Sequence, residues 1–364
     1  MSHFLFRRMT LHSQAPTRVD LAGGTLDIWP LYLFHENSQT INFAINCYAR
    51  CQLTPRSDLV IALISRDLGR EERFASFDAL LRARKFRLPL LARLAMAFAE
   101  PGGYRPPGLH KETGRNACPT AGFTLETDSD APAGSGLGGS SALNIAICGA
   151  LARFVGKKFA PGKLIEMARN VEAQVLRIPT GEQDYYSAVY GGIQAIRLTP
   201  HGVQQERLAV DARELAARVV LCYTGESRNS GINNWEVFKA HVDGKRSVLR
   251  HFDRIAAIAA EMREALEQGD WTQTARLLHQ EWEARKKNHP GITTPKIERL
   301  LALARQQGAR AAKVCGAGGG GCIFFLAEPE AKGKIEAALR RAGARVMPFE
   351  VAPRGLAVRV AASS

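Results

Sequence analysis

Four glycines fall within six residues of PAGSGLGGSSALNIAICGAL (Pro132 to Leu151), between a strand-like GFTLETD (Gly122 to Asp128) and a helical run from Ser140 to Phe154. Few folds accommodate such a strand-to-helix turn. Glycine permits left-handed backbone and close approach, and a helix beginning just beyond it presents unpaired N–H groups and a positive dipole end to an anion. A turn that merely ends a strand needs one or two glycines. Gly134, Gly136, Gly138 and Gly139 exceed that need.

Two familiar phosphate-binding turns fit the spacing only in part. Gly134, Gly136 and Gly139 match GxGxxG, but a dinucleotide site also needs an acid ~20 residues on, and Ala131 to Ile165 holds no Asp or Glu. Gly134 and Gly139 also match the P-loop, yet Ser140-Ser141 stands where that motif has Lys followed by Ser or Thr. A triphosphate bound here without a loop lysine needs a metal to meet its charge. Ser140 supplies one hydroxyl ligand, and a carboxylate has to come from elsewhere.

Glu172 is one source, because it shares a helical face with Ala168 and Val175 within the pattern Pro161 to Ile178. A carboxylate on an apolar face is costly unless a cation compensates it, and both a magnesium ion and an arginine satisfy that demand. Asp184, in IPTGEQDYYSA, is expected in a glycine-containing turn before the next element, where helix capping is the local alternative.

At 364 residues the chain exceeds the size of a single core, and strands alternate with helices in mixed order. This predicts an α+β protein with domains at 1–200 and 201–364, divided near TPHG. Residues 76–99 are expected to be helical and YRPPGLHKETGRNACPT to form a loop. The cysteines Cys47, Cys51, Cys118, Cys148, Cys222, Cys315 and Cys322 are scattered and include no CxxC pair, which points to reduced, buried thiols and away from zinc. No stretch reaches the ~20 apolar residues of a membrane span, so a cytoplasmic protein without a membrane partner is expected. The formal charge of +14 raises nucleic-acid binding. Its basic residues, however, lie in short separate clusters (Arg82 to Arg87, Lys157-Lys158, Arg285 to Lys287, Arg340-Arg341), which suit solvated faces and attraction of small polyanions better than a nucleic-acid partner.

Taken in order, APTRVDLAGGTLD, PAGSGLGGSSA, VEAQVLRIPTGEQD and KVCGAGGGGC resemble the motifs of the GHMP kinases, over residues 15–325. RVDLAGGTLD and the segment from Leu277 to Gly321 are most similar to the heptose-7-phosphate kinase and fucokinase branch. Where many heptose-phosphate kinases have Gly-Gly-Gly-Thr-Asp, this chain has Gly23-Gly24-Thr25-Leu26-Asp27, which leaves the sugar open.

The resemblance implies an N-terminal domain like ribosomal protein S5 domain 2 and a ferredoxin-like C-terminal domain, with ATP and Mg2+ as cofactors. It implies that Pro132, Gly134, Ser135, Gly136, Leu137, Gly138, Gly139, Ser140 and Ser141 surround the phosphates, and that Ser140 and Glu172 hold magnesium. Asp184 would face the acceptor hydroxyl, and Arg18 would pair with it and keep it ionised. Asp27 is expected at the acceptor, as are Gly23 and Gly24 and, from a second glycine loop, Gly318 and Gly319. Arg228 and Lys287 are weaker candidates for a substrate phosphate. The implied reaction is phosphoryl transfer to a sugar or sugar phosphate. A mevalonate- or homoserine-type acceptor, and a sensor that binds nucleotide without turnover, are the alternatives.

Overall fold

A computed structural model of the chain describes residues 9–98, 122–227 and 230–362. The first half is a sheet built on two long strands, β1 (Met9–Ala22) and β2 (Gln39–Pro55). β3 (Ile61–Ser65) and β4 (Arg70–Phe74) follow, then α1 (Phe77–Arg82) and α2 (Pro89–Ala97), so the expected helix over 76–99 is broken between them. Next come β5 (Phe123–Ser129), α3 (Gly139–Phe154), α4 (Pro161–Leu176), α5 (Gln183–Tyr190), β6 (Ile193–Thr199) and β7 (Gly202–Arg207). β2 is long enough to serve two partners: Ala49–Pro55 pairs with β5 and Gln39–Phe43 with β6. Helix α3 carries no charge before Arg153 and is buried from Ser141 to Ala152, which makes it the central helix under the sheet.

The second half contains α6 (Ala212–Arg218), β8 (Val219–Tyr223), α7 (Ser230–Val242), α8 (Arg246–Glu267), α9 (Trp271–Lys286), α10 (Pro295–Gln306), β9 (Ala309–Val314), β10 (Cys322–Ala327), α11 (Pro329–Arg341), β11 (Arg345–Val346) and β12 (Ala357–Ala362). Four of its five strands form a second sheet in the order β11-β8-β10-β9, all antiparallel, which is the ferredoxin-like arrangement.

The boundary expected at residue 200 does not follow the sheets. β7 forms a hairpin with β6 in the first sheet, and β12 returns to pair with β1, Met9 opposite Ala362. Pairing between the two ends of the described chain leaves no local signal, because an edge strand such as AVRVAA is compatible with either sheet. The loop expected before β5, together with Cys118, lies outside the described residues. The other six cysteines are free and buried. Among the described residues no helix is long and apolar enough to cross a membrane.

A short 3-10 turn, Leu31–Phe34, leads to His35, which joins the first sheet's side of the molecule to α7 and α8. His35 Nε2 and His241 Nε2 lie 2.7 Å apart, and His35 Nδ1 is 2.7 Å from Asp253 Oδ1. One proton serves the nitrogen pair, so a second proton there has no acceptor. Burial and the neighbouring His35 lower the His241 pKa below the ordinary imidazole range. A depressed imidazole contributes stability that is complete above its unfolded pKa and lost as pH falls below it. Thermal unfolding of the native protein is therefore expected to move to lower temperature between about pH 7.5 and 5.5. His241→Phe, which keeps a ring against Phe34 and Phe252, should show a smaller change over that interval. An equal change in both proteins would reject the assignment.

Candidate active site

The glycine turn lies where the two sheets meet. Its carbonyls face the protein: Ser135 O accepts from Cys322 N at 2.7 Å, Leu137 O from Arg18 N at 2.9 Å, and Gly136 O from Arg18 Nη1 at 2.6 Å. Among the described residues no acceptor meets the N–H groups of Gly136, Gly138, Gly139 or Ser140. Outward amides at the start of a sixteen-residue helix form an anion-binding concavity. The helix begins at Gly139, one residue earlier than expected. Pro132 closes the turn by accepting from Ser135 N at 3.0 Å.

The turn also defines its neighbours. Gly138 has φ +73°, and a Cβ there would lie 3.0 Å from Asp184 Cγ, so the loop rests directly on that carboxylate. Asp184 sits in the first turn of α5 and not in the preceding loop. Its side chain does not cap the helix but turns to Arg18: Nε donates to Oδ1 at 2.7 Å, with Nη2 2.6 Å from the same oxygen. Arg18 is 4% exposed and Asp184 23%. Burial opposes the charge on Arg18, but Asp184 and Asp20 outweigh it and raise its pKa further.

Glu172 is 4% exposed. Its Oε2 accepts from Ser141 Oγ at 2.9 Å, Asn144 Nδ2 at 2.8 Å and Tyr185 Oη at 2.6 Å. Burial raises its pKa, while hydrogen bonds from Tyr185, Ser140 and Ser141 pull the other way. No lysine or arginine lies within ion-pair distance among the described residues, so the arginine alternative is not realised. Ser141, expected at the phosphates, points inward to Glu172, while Ser140 is exposed on the loop side.

Asp27 is 3% exposed and accepts from Gln183 N at 2.9 Å, one residue from Asp184. Burial and the charge of Asp184 push its carboxyl up to about 7, against the Gln183 N–H and Arg18.

The glycines expected at the substrate pack closely against protein. A Cβ on Gly23 would lie 2.0 Å from Gln39 O, and one on Gly24 2.3 Å from Arg285 Nη2. In the second loop, a Cβ on Gly318 would lie 2.4 Å from Ile292 O, and Gly319 N donates to the same carbonyl at 2.8 Å. Gly23, Gly24 and Gly318 have no room for a Cβ. The second glycine loop does close on the first: a Cβ on Gly136 would lie 2.2 Å from Cys315 O, and one on Gly321 2.6 Å from Ser135 O. Lys287 is exposed just beyond α9. Arg228 lies outside the described residues.

A buried group of charges beside the loops is not singled out by the sequence, although Asp20 and Lys313 lie inside the first and last glycine motifs. Asp20, Glu281 and Lys313 are fully buried, and Arg285 is nearly so. Burial would raise the Asp20 carboxyl, but Lys313 and Arg285 bring it down to about 2. The one signal in the sequence is Glu281 and Arg285, four apart on α9 and interleaved with the buried Leu277, Leu278, Trp282 and Ala284.

Comparison with known proteins agrees with this geometry. The GHMP kinases N terminal domain matches residues 108–192, and the GHMP kinases C terminal domain matches residues 262–345. The chain is 29% identical to a D-glycero-alpha-D-manno-heptose 7-phosphate kinase of Campylobacter jejuni, over 95% of this chain and 98% of that one. It is 28% identical to the L-fucokinase/L-fucose-1-P guanylyltransferase of Bacteroides fragilis, over 88% of this chain and 35% of that larger protein. The fold matches a crystal structure of a D-glycero-D-manno-heptose 1-phosphate kinase from Bacteroides thetaiotaomicron with a TM-score of 0.76, at 24% identity over 96% of this chain and 98% of that one. Lactococcus lactis galactokinase gives the same TM-score at 18% identity, over 96% and 95%. With both domains of one family matched in order, the chain carries the N- and C-terminal domains of the GHMP kinases and is an ATP-dependent kinase.

Proposed function

We propose that the protein transfers the γ-phosphoryl group of ATP to a hydroxyl of a sugar phosphate, in the cytoplasm, with Mg2+ held by Ser140 and Glu172. The observation that carries this reading is the pairing of four outward loop amides with a buried carboxylate that has no cationic neighbour among the described residues. One hydroxyl and one carboxylate suit a hard cation that takes its other ligands from phosphate and water. Bound magnesium would neutralise charge on the transferring phosphates.

Phosphoryl transfer depends on positioning more than on covalent chemistry. The amides of Gly136 to Ser140 bind the phosphates, and Gly138 sets them against Asp184. Arg18 fixes the carboxylate of Asp184 at one oxygen, leaving the other to orient the acceptor hydroxyl and receive its proton. Asp27, behind it, accepts from sugar hydroxyls when ionised.

ADP release measured with sugar phosphates, free sugars, mevalonate and homoserine tests the acceptor. Sugar phosphates should give the highest kcat/KM. ATP binding without ADP release from any of them would favour the sensor, and turnover of mevalonate alone would reject the sugar reading. A raised Asp27 carboxyl also predicts that kcat/KM for the acceptor climbs as pH rises through about 7. Asp27→Asn should abolish that limb and raise the acceptor KM about 10- to 100-fold, the worth of a charged hydrogen bond. A retained limb would assign the titration elsewhere.

A further inference from the structure

Asp20, near the end of β1, meets Glu281 and Arg285 of α9 and Lys313 of β9 in a closed ring of alternating charge. Asp20 Oδ2 accepts from Arg285 Nη2 at 3.2 Å and Lys313 Nζ at 3.1 Å. Glu281 Oε1 accepts from Arg285 Nη2 at 2.7 Å, Arg285 Nε at 3.0 Å and Lys313 Nζ at 2.9 Å. A buried ring of this kind is weak evidence for stability, since desolvation consumes most of the Coulomb attraction. Its outer edge indicates another role. Asp20 Oδ1 accepts from Gly316 N at 3.3 Å, and Arg285 Nη1 donates to Gly316 O at 2.9 Å. Both polar backbone groups of one residue are therefore held by side chains from two domains. That residue abuts the first loop: a Cβ on Gly316 would lie 3.0 Å from Gly136 Cα. Gly24 lets the backbone pass close beside the ring, because a Cβ there would lie 2.5 Å from Asp20 Oδ2.

We propose that Asp20 and Arg285 form a two-sided clasp on Gly316 that fixes the second glycine loop against the phosphate-binding loop, making them positioning residues for nucleotide binding. The effect on nucleotide rests on the reading of Gly136 to Ser140 as the phosphate site; the effect on the loop does not. Arg285→Lys keeps the charge but lacks the planar fork that reaches Glu281, Asp20 and Gly316 together.

Hydrogen exchange over residues 315–321 of the nucleotide-free protein, measured alongside ATP affinity, tests the clasp. Arg285→Lys should speed exchange in that segment and weaken ATP binding about tenfold or more, as expected when a binding surface shifts by a fraction of an ångström. Asp20→Asn, isosteric and milder, should do the same to a smaller degree and serves if the first variant does not fold. The double variant Glu281→Gln/Lys313→Met removes a balanced pair, keeps an oxygen for Arg285, and should leave loop exchange near native. Unchanged exchange in Arg285→Lys and Asp20→Asn, or equal acceleration in the double variant, would overturn the clasp. Faster exchange with native ATP affinity would uphold the clasp's hold on the loop, overturn its role in nucleotide binding, and count against the phosphate-site reading.

Discussion

Asp184→Asn is expected to bind ATP within a few-fold of the native protein and to turn over about 10²- to 10⁴-fold more slowly, the usual range for a positioned acid or base. The substitution is informative because it is nearly silent structurally. The introduced amide still offers an oxygen to Arg18 Nε, and Gly138 still packs on a planar group of the same size. Removing the side chain altogether would leave the buried Arg18 without its partner, at a cost of about 3–5 kcal/mol, and would confuse stability with chemistry. The expected loss is in kcat, with the acceptor KM changing less, because the hydroxyl still finds Asp27. Native turnover in Asp184→Asn, measured by ADP release at saturating acceptor, would remove Asp184 from the reaction.

How much of this site is readable in the sequence depends on how local its physics is. The proposed phosphate loop is readable because four glycines, a preceding strand and a helix start are contiguous, and the missing loop lysine directs attention to a distant carboxylate. Glu172 stands out as a charge on an apolar helical face. What surrounds it does not: Tyr185, Asn144 and Ser141 are ordinary residues until α3, α4 and α5 pack together. The Arg18–Asp184 pair spans 166 positions, and only the family resemblance suggests it in the sequence.

What could not be read locally shares a cause. Asp184 reads as a turn residue because Gly181 precedes it, yet the helix starts at Gln183; a glycine marks a boundary to within a residue or two, and the aspartate falls on its far side. The four glycines assigned to substrate sit against Gln39, Arg285, Asp20 and Ile292, since a glycine reports close approach without saying what approaches. Asp20 lies inside the apolar run VDLA and Lys313 inside AAKV. Each is a single charge that looks like an interruption of a strand, and only the pairing across 293 residues explains both.

Glu172→Gln should move binding and stability in opposite directions. If Glu172 holds the metal as proposed, loss of the carboxylate removes an anionic ligand, so magnesium-dependent ATP affinity should fall by at least about 100-fold, beyond the usual cost of losing a residue behind a ligand. The nucleotide-free protein should respond differently. Burial raises the Glu172 pKa in the folded state, and a raised carboxyl contributes stability that is complete below its unfolded pKa and is lost as pH rises through the folded value. As pH rises from the acid side, the native protein therefore loses stability as this buried carboxyl, which has no cationic neighbour among the described residues, gives up its proton. Glutamine, which still accepts from Tyr185 Oη and Ser141 Oγ, removes that titration. The variant should unfold at the same or higher temperature without magnesium, and should lose the decline in stability that the native protein shows as pH rises from the acid side. Magnesium and ATP together should stabilise the native protein far more than the variant, reversing the order of the two melting temperatures. If Glu172→Gln instead melted well below the native protein under every condition, Glu172 would be a structural hydrogen-bond centre for α3 and α5, and the metal at this site would need another carboxylate.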